Sequence, residues 1–293
     1  GINIIYTYFG FGNFNKKNIQ VMGVADSNLF YPEINFWSEY GVLKRISKKI
    51  IDNYRLKGYK SANGLIFENI DMEKRYKFRM NGANRTTYIQ PSILTFDNEE
   101  DFSQNDIRNN PKGLFLCGWQ LNKNIFIIPE LVRKALDKGC HLHITITAPL
   151  DNSKYHKKFL KLCNEYKVKD YISIIGTVKK SELNNLYKNI DFVFLLSKLE
   201  SFSNNIIESW HYKRPIVISD LDWAKSICKN AAIYVKRDST DDIIEKILVY
   251  INDNKKYKAI VENGSELIKT YPNYIEKTLL EIKFLEDVYN NAI

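Results

Sequence analysis

From residue 114 onward, short apolar runs alternate with longer amphipathic ones. That alternation predicts a parallel, doubly wound α/β sheet. Residues 114–118 read as the first strand, and a helix from about Asn124 to Lys138 follows it. Residues 141–147 alternate and are rich in β-branched side chains, ahead of a helix over about 152–166. Then come a strand at 171–175, a Gly176-Thr177-Val178 turn, a helix over 181–188 and a strand at 191–196. A short helix ending near Tyr212, a strand at 215–219, another short helix and a strand at 232–235 complete the series. In such sheets ligands bind beyond the carboxyl ends of the strands, where Gly118, Gly176 and Ser197 lie. These three residues are therefore expected in one site.

The earlier part is less regular. Strand-like pieces at 2–8, 19–25, 64–68 and 87–91 surround one long helical segment, roughly 36–56, compatible with the later part of a second α/β domain. The polar stretch 97–111 lacks periodicity and reads as a linker. At the far end, Ile275, Leu279, Ile282 and Leu285 recur at helical spacing, and this stripe is expected to bury against one of the domains. The predicted division is an N-terminal domain, 1–96, joined by the terminal helix 273–293, and a second domain over 112–270. Gly1 is not an initiator and a buried strand starts at once, so the reading expects either missing upstream sequence or an unusually short N-terminal domain.

Composition narrows the class. With 293 residues, 44% of them hydrophobic, the chain can bury cores large enough for two domains. No apolar run approaches the ~20 residues that span a bilayer, and no signal peptide is read. The four cysteines, Cys117, Cys140, Cys163 and Cys228, form no CxxC pair, which points away from zinc ribbons and disulfide scaffolds and toward a reducing, cytoplasmic setting. A net charge of +9 favours anionic partners.

The densest chemistry lies in Glu200-Ser-Phe-Ser-Asn-Asn-Ile-Ile-Glu208, between an apolar strand and a short helix. A strand–loop–helix junction offers free N–H groups and a dipole equivalent to roughly +0.5 charge, suited to a phosphate. Glu208 falls within the first turn or so, where a carboxylate can accept hydrogen bonds from a sugar diol. Glu200 sits on the approach loop. This layout matches ribose, diphosphate, then sugar. The competing reading is a chance pair of glutamates beside an ordinary N-cap.

The stretch from Leu186 to Glu208, followed by Arg214-Pro-Ile-Val-Ile-Ser-Asp220, resembles the group 1 glycosyltransferases. The resemblance runs from Gly113 to about Ile251 and takes in Gly118…Lys123, Gly176-Thr177-Val178 and Ala231-Ala-Ile-Tyr-Val235. It implies the GT-B fold, two Rossmann-like domains facing across a cleft, and retaining transfer from a nucleotide diphosphate sugar, as in bacterial surface-polysaccharide or O-antigen assembly. By the same resemblance, Glu208 accepts from both ribose hydroxyls. Ser203, Asn204, Asn205 and Ile206 offer N–H groups to the diphosphate, and Thr177 and Val178 line the base pocket. Glu200 binds the transferred sugar, Lys123 neutralises the leaving diphosphate, and Gly118 belongs to the donor site. Neither metal nor cofactor is expected.

Two departures matter. Trp119 and Gln120 follow Gly118 where the family usually places an arginine, and Ala25 stands where many members have a histidine before Asp26. Asp26 is then expected either to face acceptor or sugar as a catalytic group or to close an Asx-type turn. These departures favour one rival, a non-catalytic GT-B-like subunit that binds a sugar nucleotide or a partner; a second rival is a nucleotide-sugar epimerase, which uses the same architecture with different acid/base groups. The base, the sugar and the acceptor are not readable.

His141 and His143 share a strand face beside Cys140, a metal site only if further ligands join them; surface strand histidines are the simpler reading. Between Lys44 and Lys60 seven basic residues face one acid, Asp52, while Leu43, Ile46, Ile50 and Tyr54 recur at helical spacing. This basic amphipathic helix over 43–60 either lies on an anionic membrane surface or turns its stripe into the core. The expected partners are a nucleotide-sugar donor, a sugar or lipid-linked saccharide acceptor and, on the first of those two readings, that membrane surface; no nucleic-acid module is read.

Overall fold

The computed structural model describes residues 4–12, 18–80, 84–93 and 110–292, in which packing separates two compact units. The first unit comprises residues 1–94, 199–202 and 271–293; the second comprises 95–198 and 203–270. The predicted linker falls almost wholly outside the described residues.

The first unit holds β1 (Ile4–Thr7), β2 (Ile19–Val24), α1 (Val42–Ser61), β3 (Gly64–Phe67), α2 (Ile70–Met80) and β4 (Arg85–Tyr88). Its sheet is parallel in the order β1-β2-β3-β4. Strand residues alternate faces. Val21 and Ile66 join Ile89 and Val288 in one core layer, while Phe67 meets the aromatic cluster of Phe30 and Tyr76. Three expectations change here. β1 is half-buried rather than buried. The long helix starts at Val42, because turns occupy 36–40. Helix α2 was not anticipated: its buried Met72 and Tyr76 sit among charged residues and give little apolar signal.

The second unit contains β5 (Lys112–Phe115), α3 (Ile128–Asp137), β6 (His143–Ile146), α4 (Lys154–Glu165), β7 (Ile172–Ile174), α5 (Leu183–Lys188) and β8 (Phe192–Leu195). It continues with α6 (Asn204–His211), β9 (Ile216–Ser219), α7 (Asp222–Cys228), β10 (Ile233–Val235), α8 (Thr240–Asn252) and α9 (Asn254–Ile268). All six strands are parallel, in the order β10-β9-β8-β5-β6-β7. Every residue of β8 and β9 is buried, as expected for a sheet covered on both faces. Phe115 and Phe194 stack at 5.0 Å across the central pair. Side-chain caps start α4 at Ser153, α8 at Ser239 and α9 at Asp253. The predicted helix at 124–138 begins later, after two short 3-10 turns.

The last helix, α10 (Tyr274–Asn290), opens on a capping box from Asn273 and Glu276 and packs with the first unit. Of its expected apolar stripe only Leu285 packs against the first unit's core. Ile275, Leu279 and Ile282 are exposed, and the face turned inward carries Lys277, Phe284 and Val288. Lys277 provides the reason. Its Nζ donates to Tyr8 Oη at 2.6 Å and pairs with Glu68 at 2.8 Å, so a buried ion pair sets the helix rotation. Among the described residues no helix is long and apolar enough to cross a membrane.

Candidate functional site

Strand order in the second unit reverses between β5 and β8, and a parallel sheet opens a crevice at that point, beyond the carboxyl ends of its strands. Leu116, Cys117 and Gly118 leave β5 there, and Leu196 and Ser197 leave β8. Helix α6 is tied to the same place, because Asn205 Nδ2 donates to the Leu116 carbonyl at 3.0 Å. Ser203 occupies the N-cap position, but its side chain makes no capping hydrogen bond. The first N–H groups of a helix have no intrahelical acceptor, so this end of α6 presents donors and a positive dipole at the crevice.

Packing holds α6 firmly. Ile206, Ile207 and Trp210 are buried, and Trp210 Nε1 donates to the Ala231 carbonyl at 3.0 Å. Helix α9 lies so close that a Cβ on Gly264 would stand 2.5 Å from the Trp210 ring.

Glu208 is the fifth residue of α6, just past its first turn and close to where the sequence places it, and is only 6% exposed. The buried Tyr187 donates its hydroxyl to Glu208 Oε2 at 3.0 Å. Burial raises the carboxyl of Glu208 above its ordinary range, and the Tyr187 hydrogen bond opposes that rise. Tyr187 is itself fixed by stacking on Tyr212 at 4.3 Å and by Arg214 Nε, which donates to its carbonyl at 2.9 Å. A carboxylate so placed can accept from hydroxyl groups entering the crevice.

Lys123 ends a 3-10 turn, and Asn124 behind it adopts the left-handed region, φ 57°. The turn is pinned from two sides. Lys198 N donates to the Asn122 carbonyl at 2.9 Å, and Asn124 Nδ2 donates to the Arg237 carbonyl at 2.6 Å. The Arg237 side chain reaches back to the end of β8, where its Nε donates to the Leu196 carbonyl at 3.0 Å. Sequence reasoning missed both Tyr187 and Arg237. Arg237 follows β10 by two residues, so the carboxyl-end rule could have flagged it; Tyr187 lay inside the quoted resemblance without a role.

Gly176 takes φ +81° past the end of β7, and Thr177 and Val178 follow it on the carboxyl edge of the same sheet, two strands out from β5. Trp119 packs rather than projecting: its Nε1 donates to the Pro149 carbonyl at 2.8 Å and its ring stacks on His156. Cys117 is half-buried beside Gly118, whereas Cys140, Cys163 and Cys228 are buried and none forms a disulfide.

Gly118, the Lys123 turn, residues 203–206 and Glu208 thus gather in the second unit, with Thr177 and Val178 along the same edge. Glu200 and Asp26 pack with the first unit. Glu200 is half-buried. Asp26 is engaged: Tyr59 donates to Oδ2 at 2.6 Å and Arg55 pairs with Oδ1 at 2.7 Å. Burial raises its carboxyl despite those partners. His141 Nδ1 lies 3.3 Å from Tyr171 Oη, and among the described residues no group of three or more His, Cys, Asp or Glu gathers for a metal.

The sequence matches the family of group 1 glycosyl transferases over residues 97–267, more than half of the chain, and the chain belongs to that family. No curated protein matches it. Among solved structures it is similar to sucrose-phosphate synthase from Thermosynechococcus elongatus, with a TM-score of 0.73 at 15% identity, covering 94% of this chain and 69% of that one. It is also similar to TarM, TM-score 0.69 at 15% identity, over 94% of this chain and 52% of TarM. A third likeness is Alr3699/HepE of Anabaena, solved with UDP and glucose, with a TM-score of 0.68 at 14% identity over 92% of this chain and 72% of that one. These likenesses show the fold, the α/β GT-B architecture built on parallel Rossmann-like sheets.

Proposed function

We propose that the chain moves a sugar from a nucleoside diphosphate sugar to an acceptor hydroxyl with retention of configuration and without a metal ion. One observation carries the reading. The uncapped start of α6 is stitched to the end of β5 at the sheet's reversal point, with the buried, Tyr187-held carboxylate of Glu208 behind it. Membership of the group 1 family and a similar protein solved with UDP and glucose support the same donor class.

In this reading the N–H groups of Ser203, Asn204 and Asn205 hold the diphosphate, while Ile206 N donates instead to the Ser203 carbonyl at 3.0 Å; Glu208 accepts from the ribose hydroxyls, and Thr177 and Val178 contact the base. Gly118 leaves room for the donor, and Glu200 binds the transferred sugar. The sugar–phosphate bond breaks as the acceptor oxygen bonds the same carbon from the same face. The acceptor proton passes to the departing phosphate oxygen, giving a glycoside and a nucleoside diphosphate. Lys123 and the α6 dipole stabilise the negative charge that builds on the leaving group. Asp26 is assigned to the acceptor side. The proposed acceptor is a sugar or lipid-linked saccharide used in bacterial polysaccharide assembly at the cytoplasmic face.

Thermal shifts against UDP, GDP, ADP and TDP test the reading, because a ligand that binds only the folded state raises the melting temperature. One diphosphate should shift the wild type and leave Glu208→Ala unmoved. No shift with any of the four from a folded wild type would overturn the donor site.

A further inference from the structure

Arg237 delivers a cation to the place where the crevice of the second unit opens. Its backbone stands two residues beyond β10, at one end of the strand order, yet its side chain reaches past β9. There its Nε donates to the Leu196 carbonyl at the carboxyl end of β8. The Arg237 carbonyl accepts from Asn124 Nδ2 at 2.6 Å, and the Asn122 carbonyl accepts from Lys198 N at 2.9 Å. The Lys123 turn and the guanidinium therefore meet at the end of one strand. The charge of that guanidinium is poorly balanced. Only 12% of the side chain is exposed, and taking a cation out of water is unfavourable unless an anion replaces the water. Its one carboxylate partner among the described residues is Asp238, at 3.0 Å, whose side chain is 72% exposed. An ion pair with so solvated a partner contributes little. The second amino group, Nη2, makes no hydrogen bond among the described residues.

We infer that Arg237 binds a phosphate oxygen of the donor and acts with Lys123 as a second cation on the leaving diphosphate, an inference that rests on the donor reading above. A guanidinium presents several N–H donors in a planar fork suited to phosphate oxygens, and here Nε is spent on holding the group in place while Nη2 is left for a ligand. As the bond between sugar and phosphate breaks, its electron pair stays on the departing oxygen. A cation already fixed at that point meets the added charge without reorganising. The competing role, a brace for the Lys123 turn alone, uses Nε and the main-chain carbonyl but gives Nη2 no task and leaves the buried charge without an adequate anion.

Isothermal titration with whichever of UDP, GDP, ADP or TDP shifts the wild type, and with its parent nucleoside, tests the inference. Arg237→Gln should weaken the diphosphate by about tenfold or more and leave the nucleoside within about twofold. Arg237→Lys should recover part of the loss. Asp238→Asn sits at an exposed position and removes the competing carboxylate, so it should tighten the diphosphate by about two- to threefold. Asn124→Gly loosens the turn, tolerates the left-handed backbone and keeps the guanidinium, and it should cost less than Arg237→Gln. Unchanged diphosphate affinity in Arg237→Gln, or equal losses for diphosphate and nucleoside, would overturn the inference and leave the donor reading intact. So would an Asn124→Gly loss as large as that of Arg237→Gln, or, where Arg237→Gln does not fold, no tightening in Asp238→Asn. A wild type that binds none of the four diphosphates would remove the donor reading and this inference together.

Discussion

The hydroxyl of Tyr187 donates to Oε2 of Glu208 over 3.0 Å, and both side chains are buried. The tyrosine comes from α5 and the glutamate from α6, so one hydrogen bond fixes the direction of the carboxylate proposed to read the ribose.

Removing that donor leaves a buried anion short of a partner, at a cost of about 1–3 kcal/mol. Tyr187→Phe should lose stability in that range, and the pH above which the diphosphate binds should move upward. Denaturant melts and thermal shifts across a pH series measure both.

The carboxyl of Glu208 is raised in the folded state, mainly by burial. Folding therefore favours its protonated form, and the unfavourable contribution of the ionised form grows as pH climbs from the ordinary carboxylate range to the raised value. Glu208→Gln should gain stability relative to wild type across that window and hold the gain above it, while losing diphosphate binding. A flat difference in melting temperature across the pH series would refute this.

Lys123→Ala should slow transfer by roughly 10²–10³-fold with a smaller effect on donor affinity, if the lysine acts on charge developing at the leaving group. Lys123→Arg should recover part of the turnover. Steady-state kinetics separate this from simple loss of binding.

Gly264→Ala places a methyl group against Trp210, the anchor of α6. Overpacking of this kind costs about 1–3 kcal/mol. Because the displaced helix carries the donor-facing end, diphosphate affinity should fall together with stability. Gly264→Ser should behave in the same way.

Lys277 answers two acids, Glu68 at 2.8 Å and Glu281 at 3.5 Å. Burial pulls its ammonium down, but Glu68 overrides this and the net shift is upward. The pairing therefore stabilises the fold fully at neutral pH and fades only as pH rises through the raised value. Lys277→Met should cost about 3–5 kcal/mol by stranding the carboxylates, and adding Glu68→Gln should recover part of it. Chemical denaturation of the single and double variants provides the check.

The second unit was largely legible because β8 and β9 are buried on both faces and so read as unbroken apolar runs between helices. Placing α6 at a strand's carboxyl end followed from the same pattern. The first unit was less legible. Its terminal helix is rotated by the Lys277 cluster, and α1 by Asp52 and Arg55. In both, a few tertiary polar contacts outweigh the apolar stripe that periodicity detects. Arg237 and the Asn124 side chain act on main-chain carbonyls, and such contacts leave no recurring pattern in sequence.

The uneven burial of the four thiols has a practical outcome. Cys140, Cys163 and Cys228 are buried, and burial pushes the first two up to about 11, which keeps them protonated and inert toward alkylating dyes. Cys117 alone is partly accessible, one residue from Gly118. The unmodified chain is thus equipped for single-position fluorescent tagging at the mouth of its crevice, and protection of that tag by a sugar nucleotide would report occupancy without any engineered cysteine.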